Sequence, residues 1–168
     1  MLLCILLVPS IIRAGATSDG NEYTIKAMFL LNFMKYIDWP IENYSPIFKI
    51  GVVGETEMYD ALINLAAKRS SEGQKVEIKK VDSKNIGDFQ IVFIANSERG
   101  KIDELIKRHS VKGVLIISED DKGKVKQAGI NLFNQEDKIR FEINLNSTKS
   151  NGLKVSSKLI ELAAAVHN

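Results

Sequence analysis

The chain has 168 residues, of which 45% are hydrophobic and 26% charged, and its 23 basic and 21 acidic side chains leave a net charge of +2. This size and composition predict one globular domain and exclude a disordered chain. The two charge signs are interspersed without the basic stripe typical of nucleic-acid-binding proteins, so we expect no nucleic-acid partner.

Residues 1–16 are predicted to be a secretory signal peptide. An apolar run at 2–12 is followed by Ala14-Gly15-Ala16, the small-x-small pattern that precedes a cleavage site, so we expect cleavage after Ala16 and export to the periplasm. The run is too short to cross a bilayer, so we expect no membrane insertion of the mature chain. Cys4 is the only cysteine and would leave with the leader, so residues 17–168 would fold as one domain without a disulfide. The alternative is an ordinary apolar strand or helix at the N-terminus.

The first predicted helix of the mature chain spans residues 22–37, and we expect it to be buried on most sides. Apolar residues at helical spacing form its core-facing stripe: Ile25, Met28, Phe29, Phe33 and Tyr36. Trp39-Pro40 ends the helix, because a residue that precedes proline avoids the helical conformation.

Strands and helices alternate through the rest of the chain. Apolar or alternating runs predict strands at 48–53, 76–81, 89–94, 114–118, 130–133 and 139–144. Amphipathic spacing predicts helices at about 58–68, 102–109, 125–128 and 156–166. Strands that alternate with helices favour an α/β three-layer sandwich, with a mainly parallel sheet and helices on both faces. The short link at 134–138 predicts an antiparallel hairpin at the sheet edge.

Few residues point to catalysis or metal binding. Gly51 and Gly54 lack the third glycine of a dinucleotide-binding turn and predict a plain strand-to-helix turn. Glu119-Asp120-Asp121 follows an apolar strand, where metal ligands often lie, but an acidic turn before a helix is the more common arrangement. His109 and His167 have no companion ligand at metal-binding spacing and are expected in solvent. We therefore predict no catalytic residues, no metal site and no cofactor.

Three stretches together resemble one known family. Residues 26–40, KAMFLLNFMKYIDWP, resemble the opening helix of the YfiR-like family, whose pattern is K-A-x-h-h-x-N-F-x-K-h-x-x-W-P with h apolar. Residues 139–145, residues 152–159 and Leu162-Ala163 resemble the far end of that family. The similarity implies an exported α/β protein that represses a membrane-bound diguanylate cyclase by binding its periplasmic sensor region. Characterised members carry cysteine pairs that this mature chain would lack, so redox sensing is not expected here.

Two functions remain open on the sequence alone. One is a periplasmic regulator of a membrane sensor, which is expected to be a diguanylate cyclase or a related protein; a homodimer is also left open. The other is a periplasmic small-molecule-binding protein without a cyclase partner, whose ligand would lie at the carboxyl edge of the sheet. Trp39 and Pro40 are the candidate partner contact, because an exposed tryptophan is a typical interface anchor. The alternative for Trp39 is that it closes one end of the core.

Overall fold

The computed structural model of the chain describes residues 18–40, 45–69, 75–82, 86–108, 112–120 and 128–168. The predicted signal peptide, His109, Asp121 and most of the predicted helix at 125–128 lie outside the described residues. The described part contains five α-helices: Ser18–Tyr36 (α1), Met58–Arg69 (α2), Ile102–Arg108 (α3), Leu145–Ser150 (α4) and Ser157–Leu162 (α5). Short 3-10 helices occupy Ile86–Asp88 and Asn96–Lys101.

The described part also contains nine strands. They are Ile37–Asp38 (β1), Ile47–Val53 (β2), Lys75–Lys80 (β3), Ile91–Ile94 (β4), Leu115–Glu119 (β5), Ile130–Gln135 (β6), Lys138–Asn144 (β7), Lys154–Val155 (β8) and Ala165–His167 (β9). Seven form one sheet in the order β3-β2-β4-β5-β6-β7-β9. The neighbours from β3 to β6 are parallel, β7 is antiparallel to β6, and β9 is parallel to β7. The predicted mainly parallel sheet with an antiparallel hairpin is therefore confirmed.

The buried side chains form two clusters, one on each face of the sheet. Along β4, Ile91 and Phe93 join the larger cluster with α1 and α2, whereas Val92 and Ile94 join the smaller one with α3. This division follows from the alternation of side chains along a strand. Since both faces are covered by helices, the predicted three-layer α/β sandwich is confirmed.

Two glycines have structural reasons for their positions. Gly51 lies inside β2, where a Cβ atom would come within 2.8 Å of the Val81 side chain. Gly54 ends that strand with a φ of +90°, a conformation that other residues rarely adopt. Both observations agree with the plain strand-to-helix turn expected from the sequence.

Two local predictions were wrong. Ile25 and Met28 were expected on the buried face of the first helix, but they are 38% and 42% exposed. Lys26 and Ala27 are buried instead. A prediction based on the spacing of large apolar residues does not include them. The predicted helix at 156–166 ends at Leu162, and Ala165–His167 instead forms strand β9 outside the hairpin. Pairing with β7 overrides the helical periodicity of Val166.

Candidate functional site

An open groove of about 480 Å³ lies between α1, β7 and α5. Its walls are largely apolar and aromatic, and they consist of Phe29, Phe33, Tyr36, Ile139, Phe141, Leu159, Leu162 and Ala163. Asn32, Arg140 and Glu161 add polar groups to the lining. Concave surfaces with mostly apolar walls and a few polar groups are typical of binding sites for small molecules and apolar segments.

Three aromatic rings in the wall of the groove pack against one another. The centroid of Phe33 lies 5.3 Å from that of Phe141 and 6.0 Å from that of Phe29, and the Phe29 and Phe141 centroids are 5.6 Å apart. Phe33 and Phe141 are buried, whereas Phe29 is half-buried. Ring pairs at these separations attract one another beyond their buried area, so this wall of the groove is fixed before anything binds.

The edges of the groove carry exposed apolar and charged side chains. Leu162, at the end of α5, is 59% exposed although it is apolar. Met28 lies one helical turn before Asn32 on α1 and is also exposed. Arg140 and Glu161 are exposed charges, and the Lys158 ammonium lies 5.6 Å from the centre of the Tyr36 ring. The groove therefore offers apolar anchors and charges of both signs at its edges.

Helix α5 forms one wall of the groove and is fixed at both ends. At its start, the Ser156 hydroxyl accepts a hydrogen bond from the Leu159 amide at 3.3 Å, and the Ser156 amide donates to the carbonyl of Tyr36 at 2.9 Å. Beyond its end, the Ala164 amide donates to the carbonyl of Phe141 at 2.8 Å. Strand β9 then continues the chain along β7. These hydrogen bonds hold the wall formed by α5 on both α1 and β7.

A buried charge cluster lies near the carboxyl ends of β4 and β5. The Lys26 ammonium is 2.8 Å from Glu119 and 2.6 Å from Glu22. The second oxygen of the Glu119 carboxylate accepts hydrogen bonds from the backbone N–H of Asn96 at 3.1 Å and the Tyr23 hydroxyl at 3.2 Å. The polar groups of the cluster satisfy one another's hydrogen bonds. Because Tyr23 and Lys26 lie on α1 and Glu119 lies on β5, the cluster joins α1 to the sheet.

The surroundings raise the pKa values of two members of this cluster. For Lys26, burial opposes the charge, but hydrogen bonds and charge attraction from Glu119 and Glu22 outweigh it, so the pKa is raised. For Tyr23, burial is the main reason that the pKa is raised, and a hydrogen bond with Thr56 opposes the shift. Lys26 is therefore held in its charged form and Tyr23 in its neutral form.

The expectation that Glu119 belongs to an acidic turn before a helix was wrong. Glu119 is the last residue of β5, and both Glu119 and Asp120 are buried. Local sequence could not indicate this burial, because the buried cation that balances Glu119 lies on a helix that is distant in the chain. Within the described residues, no group of three or more His, Cys, Asp or Glu side chains is placed to hold a metal ion.

Trp39 directly follows β1, is half-buried and packs against the larger core cluster. Its indole N–H donates to the carbonyl of Gln90 at 3.3 Å, and its ring meets that of Phe48 edge to face with the centroids 5.0 Å apart. Pro40 follows and is also half-buried. The structure thus places Trp39 against the core while leaving part of it accessible, and it does not bring Trp39 into the lining of the groove.

A second polar network crosses the sheet from a buried serine to His167. The Ser118 hydroxyl donates to the side-chain oxygen of Asn131 at 2.9 Å, and the side-chain NH2 group of Asn131 donates to the Glu142 carboxylate at 3.0 Å. The other oxygen of the Glu142 carboxylate lies 2.8 Å from Nε2 of His167. His167 is exposed, as expected, but it has a carboxylate partner that sequence spacing could not indicate, because 25 positions separate the two.

Comparison with known proteins identifies the family. The model of the YfiR/HmsC-like family matches residues 23–164, which is most of the chain. The chain belongs to the YfiR/HmsC-like family. The resemblance seen in the sequence is therefore confirmed. At the level of the family, membership supports a periplasmic regulator of a diguanylate cyclase with a membrane sensor as partner, and the YfiR/HmsC-like family is regulatory rather than catalytic.

Solved structures share the fold of this YfiR/HmsC-like chain. One is a conserved domain protein from Vibrio cholerae, with a TM-score of 0.54 and 10% identity over 86% of this chain and 60% of that one. Another is an ABC domain in complex with L-Trp from Streptococcus pneumonia, with a TM-score of 0.52 and 9% identity over 71% of this chain and 55% of that one. The chain thus spans between 55% and 60% of the length of these two structures.

No curated protein matches the chain. In the part of the chain that the structure describes, every helix is too short or too polar to span a membrane.

Proposed function

We propose that this protein is exported to the periplasm and represses a membrane-bound diguanylate cyclase by binding the cyclase's periplasmic region in the groove between α1, β7 and α5. One observation carries the proposal. The three stretches that resemble the family are far apart in the sequence, yet each contributes to the groove, through Asn32-Phe33, Arg140-Phe141 and Leu162-Ala163. A surface built from all three is the best candidate for a function that the family shares.

The chemistry of the groove favours an apolar partner segment that carries a carboxylate. Its aromatic wall suits a leucine or aromatic side chain, which would cover the exposed Leu162. Arg140 and Lys158 would meet the carboxylate, while Glu161 would disfavour a second one nearby. Such a segment on the periplasmic region of a membrane cyclase is the partner that we propose.

Trp39 and Pro40 are proposed as a second contact with the same partner. Support comes from the partial exposure of Trp39, which remains although its ring packs on Phe48. A tryptophan that the core already holds in one orientation loses little conformational entropy when a partner covers its remaining surface.

A pair of matched variants tests the groove. Leu162→Asp places a charge at its edge, whereas Ile63→Asp places the same charge on α2, at an apolar residue that is 41% exposed and does not line the groove. We expect both variants to keep the wild-type melting temperature. Only Leu162→Asp should lose binding to the purified periplasmic region of the cyclase, by about tenfold, because it replaces an apolar contact with a charge. Equal binding by both variants would exclude the groove.

Repression itself is tested in cells. Deletion of the gene should raise cyclic-di-GMP and surface attachment, and the wild-type gene should reverse both changes. Leu162→Asp should fail to reverse them, whereas Ile63→Asp should succeed. Unchanged cyclic-di-GMP in the deletion strain under every growth condition would reject the repressor function.

The alternative function, a small-molecule-binding protein without a cyclase partner, is favoured by one observation. The groove volume of about 480 Å³ falls within the range of ligand pockets, which is roughly 300–1,000 Å³. Anilinonaphthalene sulfonate, an apolar dye with one negative charge, is a suitable probe. If the dye binds in a manner that Leu162→Asp abolishes, while deletion leaves cyclic-di-GMP unchanged, this alternative replaces the regulator.

A further inference from the structure

We propose that the partner binds the groove as an extended segment, which pairs with the free edge of β7 at Ile139 and alternates apolar and acidic side chains. This inference rests on the function proposed above, because it describes how the same groove would hold its partner. It goes further by assigning the conformation of the partner segment, the backbone groups that bind it and the order of its side chains.

The backbone of Ile139 faces away from β6. Glu136 and Asp137 form the two-residue turn between β6 and β7 with φ values of 52° and 58°, which is typical of a type I′ hairpin. This turn directs the N–H of Lys138 to Gln135 on β6. Hydrogen-bonded and non-hydrogen-bonded pairs then alternate along the two antiparallel strands. The N–H and C=O groups of Ile139 therefore point toward the opposite edge of β7.

Two hydrogen bonds further along β7 confirm this alternation. The backbone N–H of Asn144 donates to the carbonyl of Gly129, just before β6, at 2.9 Å, so the even-numbered residues of β7 face β6. The carbonyl of Phe141 accepts from the backbone N–H of Ala164 at 2.8 Å on the other side, so the odd-numbered residues face away from β6. Ile139 is odd-numbered and shares the outward direction of Phe141.

Strand β9 covers only part of that outer edge. It pairs with residues 142–144 of β7, and within the described residues no other strand pairs with β7 on that side. Ile139 therefore has no strand partner there, and it is half-buried. Strand edges of this kind accept an extended chain, which adds a strand to the sheet and satisfies its backbone groups.

The groove reaches this free edge of β7. Ile139, Arg140 and Phe141 all line the groove, although the side chains of consecutive strand residues point to opposite faces of a sheet. A cavity that touches all three residues extends around the edge of β7 from one face to the other. A segment in the groove can thus hydrogen-bond with Ile139 while its side chains contact the aromatic wall.

The two faces of β7 determine the order of side chains in the partner segment. Phe141 packs against the rings of Phe29 and Phe33, so the side chains of the segment on that face should be apolar. Arg140 and Lys138 are exposed cations on the opposite face, where a carboxylate forms a favourable cross-strand pair. Since side chains alternate along a strand, the predicted segment has the order apolar, acidic, apolar.

The same cations argue against a second copy of this chain as the occupant of the edge. Antiparallel pairing of two such edges about a two-fold axis at Ile139 would place Lys138 of one copy opposite Arg140 of the other. Like charges opposite one another destabilise a pair of strands. An acidic segment of a different protein is therefore the partner that this edge favours.

Hydrogen exchange, measured by NMR on the purified mature protein, tests the strand addition. After correction for intrinsic rates, the N–H of Ile139 in the free protein should exchange faster than that of Arg140, which is bonded to β6. The purified periplasmic region of the cyclase is then added at about ten times its Kd. Exchange at Ile139 should slow by about tenfold, because it proceeds only from the unbound fraction.

A pair of variants tests the same contact by affinity. Ile139→Pro removes the outward N–H and leaves the bonds to β6 in place, since an edge strand accepts proline where the N–H faces outward. Ile139→Ala shortens the side chain but keeps the N–H, so it is the matched control. Ile139→Pro should bind the cyclase region about 2- to 10-fold more weakly than Ile139→Ala, the range for one lost hydrogen bond. Should Ile139→Pro not fold, the exchange rates of the wild type decide.

The outcomes separate this inference from the proposed function. Binding that Leu162→Asp abolishes, together with unchanged exchange at Ile139, would overturn the strand addition and leave the proposed function intact. Equal affinities of the two folded Ile139 variants would also overturn it. Protection of Ile139 that rises with protein concentration, without the cyclase, would show that a second copy occupies the edge instead. Absence of any binding by the wild type would reject both ideas.

Discussion

The ammonium group of Lys26 lies 2.8 Å from the carboxylate of Glu119, although 93 positions separate the two residues. Each side chain is only 7% exposed. The pair therefore joins α1 to the carboxyl end of β5 inside the protein. A buried ion pair need not add net stability compared with apolar residues. Removal of one member, however, leaves the other as an unpaired buried charge, which is strongly destabilising.

Lys26→Met should accordingly lower the free energy of unfolding by about 3–5 kcal/mol, because it leaves the Glu119 carboxylate buried without its cation. The double variant Lys26→Met/Glu119→Leu should recover much of that loss. Lys101→Met, which breaks the exposed pair with Glu98, is the control and should leave the free energy of unfolding nearly unchanged, because solvent screens that pair. Urea unfolding measures all three, and a double variant less stable than Lys26→Met would contradict the argument.

The raised pKa of Lys26 predicts a loss of stability in alkali. A group whose pKa is higher in the folded state stabilises the fold fully below its unfolded pKa, about 10.4 for lysine, and this contribution disappears as the pH rises through the folded value. The unfolding free energy of the wild type should therefore fall above about pH 10. Tyr23, whose pKa is also raised, acts in the same direction.

Variants separate the two groups. In Tyr23→Phe the alkaline fall should persist in weaker form, and in Lys26→Met/Tyr23→Phe it should be weaker still. A fall in the double variant as steep as that in the wild type would show that other groups cause it.

Phe33 should be the most sensitive apolar residue of the groove wall. It is 1% exposed and packs against the rings of Phe29 and Phe141, so Phe33→Ala should cost about 3–5 kcal/mol. Met28→Ala, on the exposed side of the same helix, should change stability by about 0.5 kcal/mol or less. Thermal unfolding compares them, and similar costs for the two variants would mean that the helix packs in another orientation.

The layers of this fold could be predicted from the sequence, because the periodicity of hydrophobic residues and the order of helices and strands determine them. The predicted helix at 58–68 differs from α2 by one residue at its end, and the predicted strand at 114–118 differs from β5 by one residue at each end. Predictions failed where a distant partner overrides local pattern. Val166 has helical spacing with Leu159 and Leu162, but its backbone pairs with β7. In the sequence Glu119 resembles a turn residue, because its partner Lys26 lies beside it only in the folded chain.

The groove could not be predicted from local pattern for the same reason. Its walls come from residues that each predict an ordinary core face, such as Phe33 in a helix and Phe141 in a strand. Only the crossing of α1 over β7 shows that these faces leave a gap. The family resemblance indicated the three stretches without indicating that they meet.

Export is predicted from residues 1–16. If the leader is cleaved after Ala16, the periplasmic protein should begin at Thr17, as N-terminal sequencing or intact mass can show. Because Cys4 would be removed, dithiothreitol should leave the melting temperature of the mature protein unchanged. A full-length product retained in the cytoplasm would contradict the first expectation, and a reproducible shift with reductant would contradict the second.

Variants of Trp39 distinguish its role in the core from its proposed role as a partner contact. Trp39→Ala removes the ring that packs on Phe48 and should lower stability by about 1–3 kcal/mol. Trp39→Phe keeps an aromatic ring and loses the hydrogen bond to Gln90, at a cost of about 1 kcal/mol. We expect Trp39→Phe to accumulate in the periplasm at wild-type levels yet fail to restore low cyclic-di-GMP in the deletion strain, since a smaller ring covers less of the partner. Phe48→Leu, which loosens the same packing from the core side, is the matched control and should restore it. If Trp39→Phe restores repression fully, Trp39 serves the core alone.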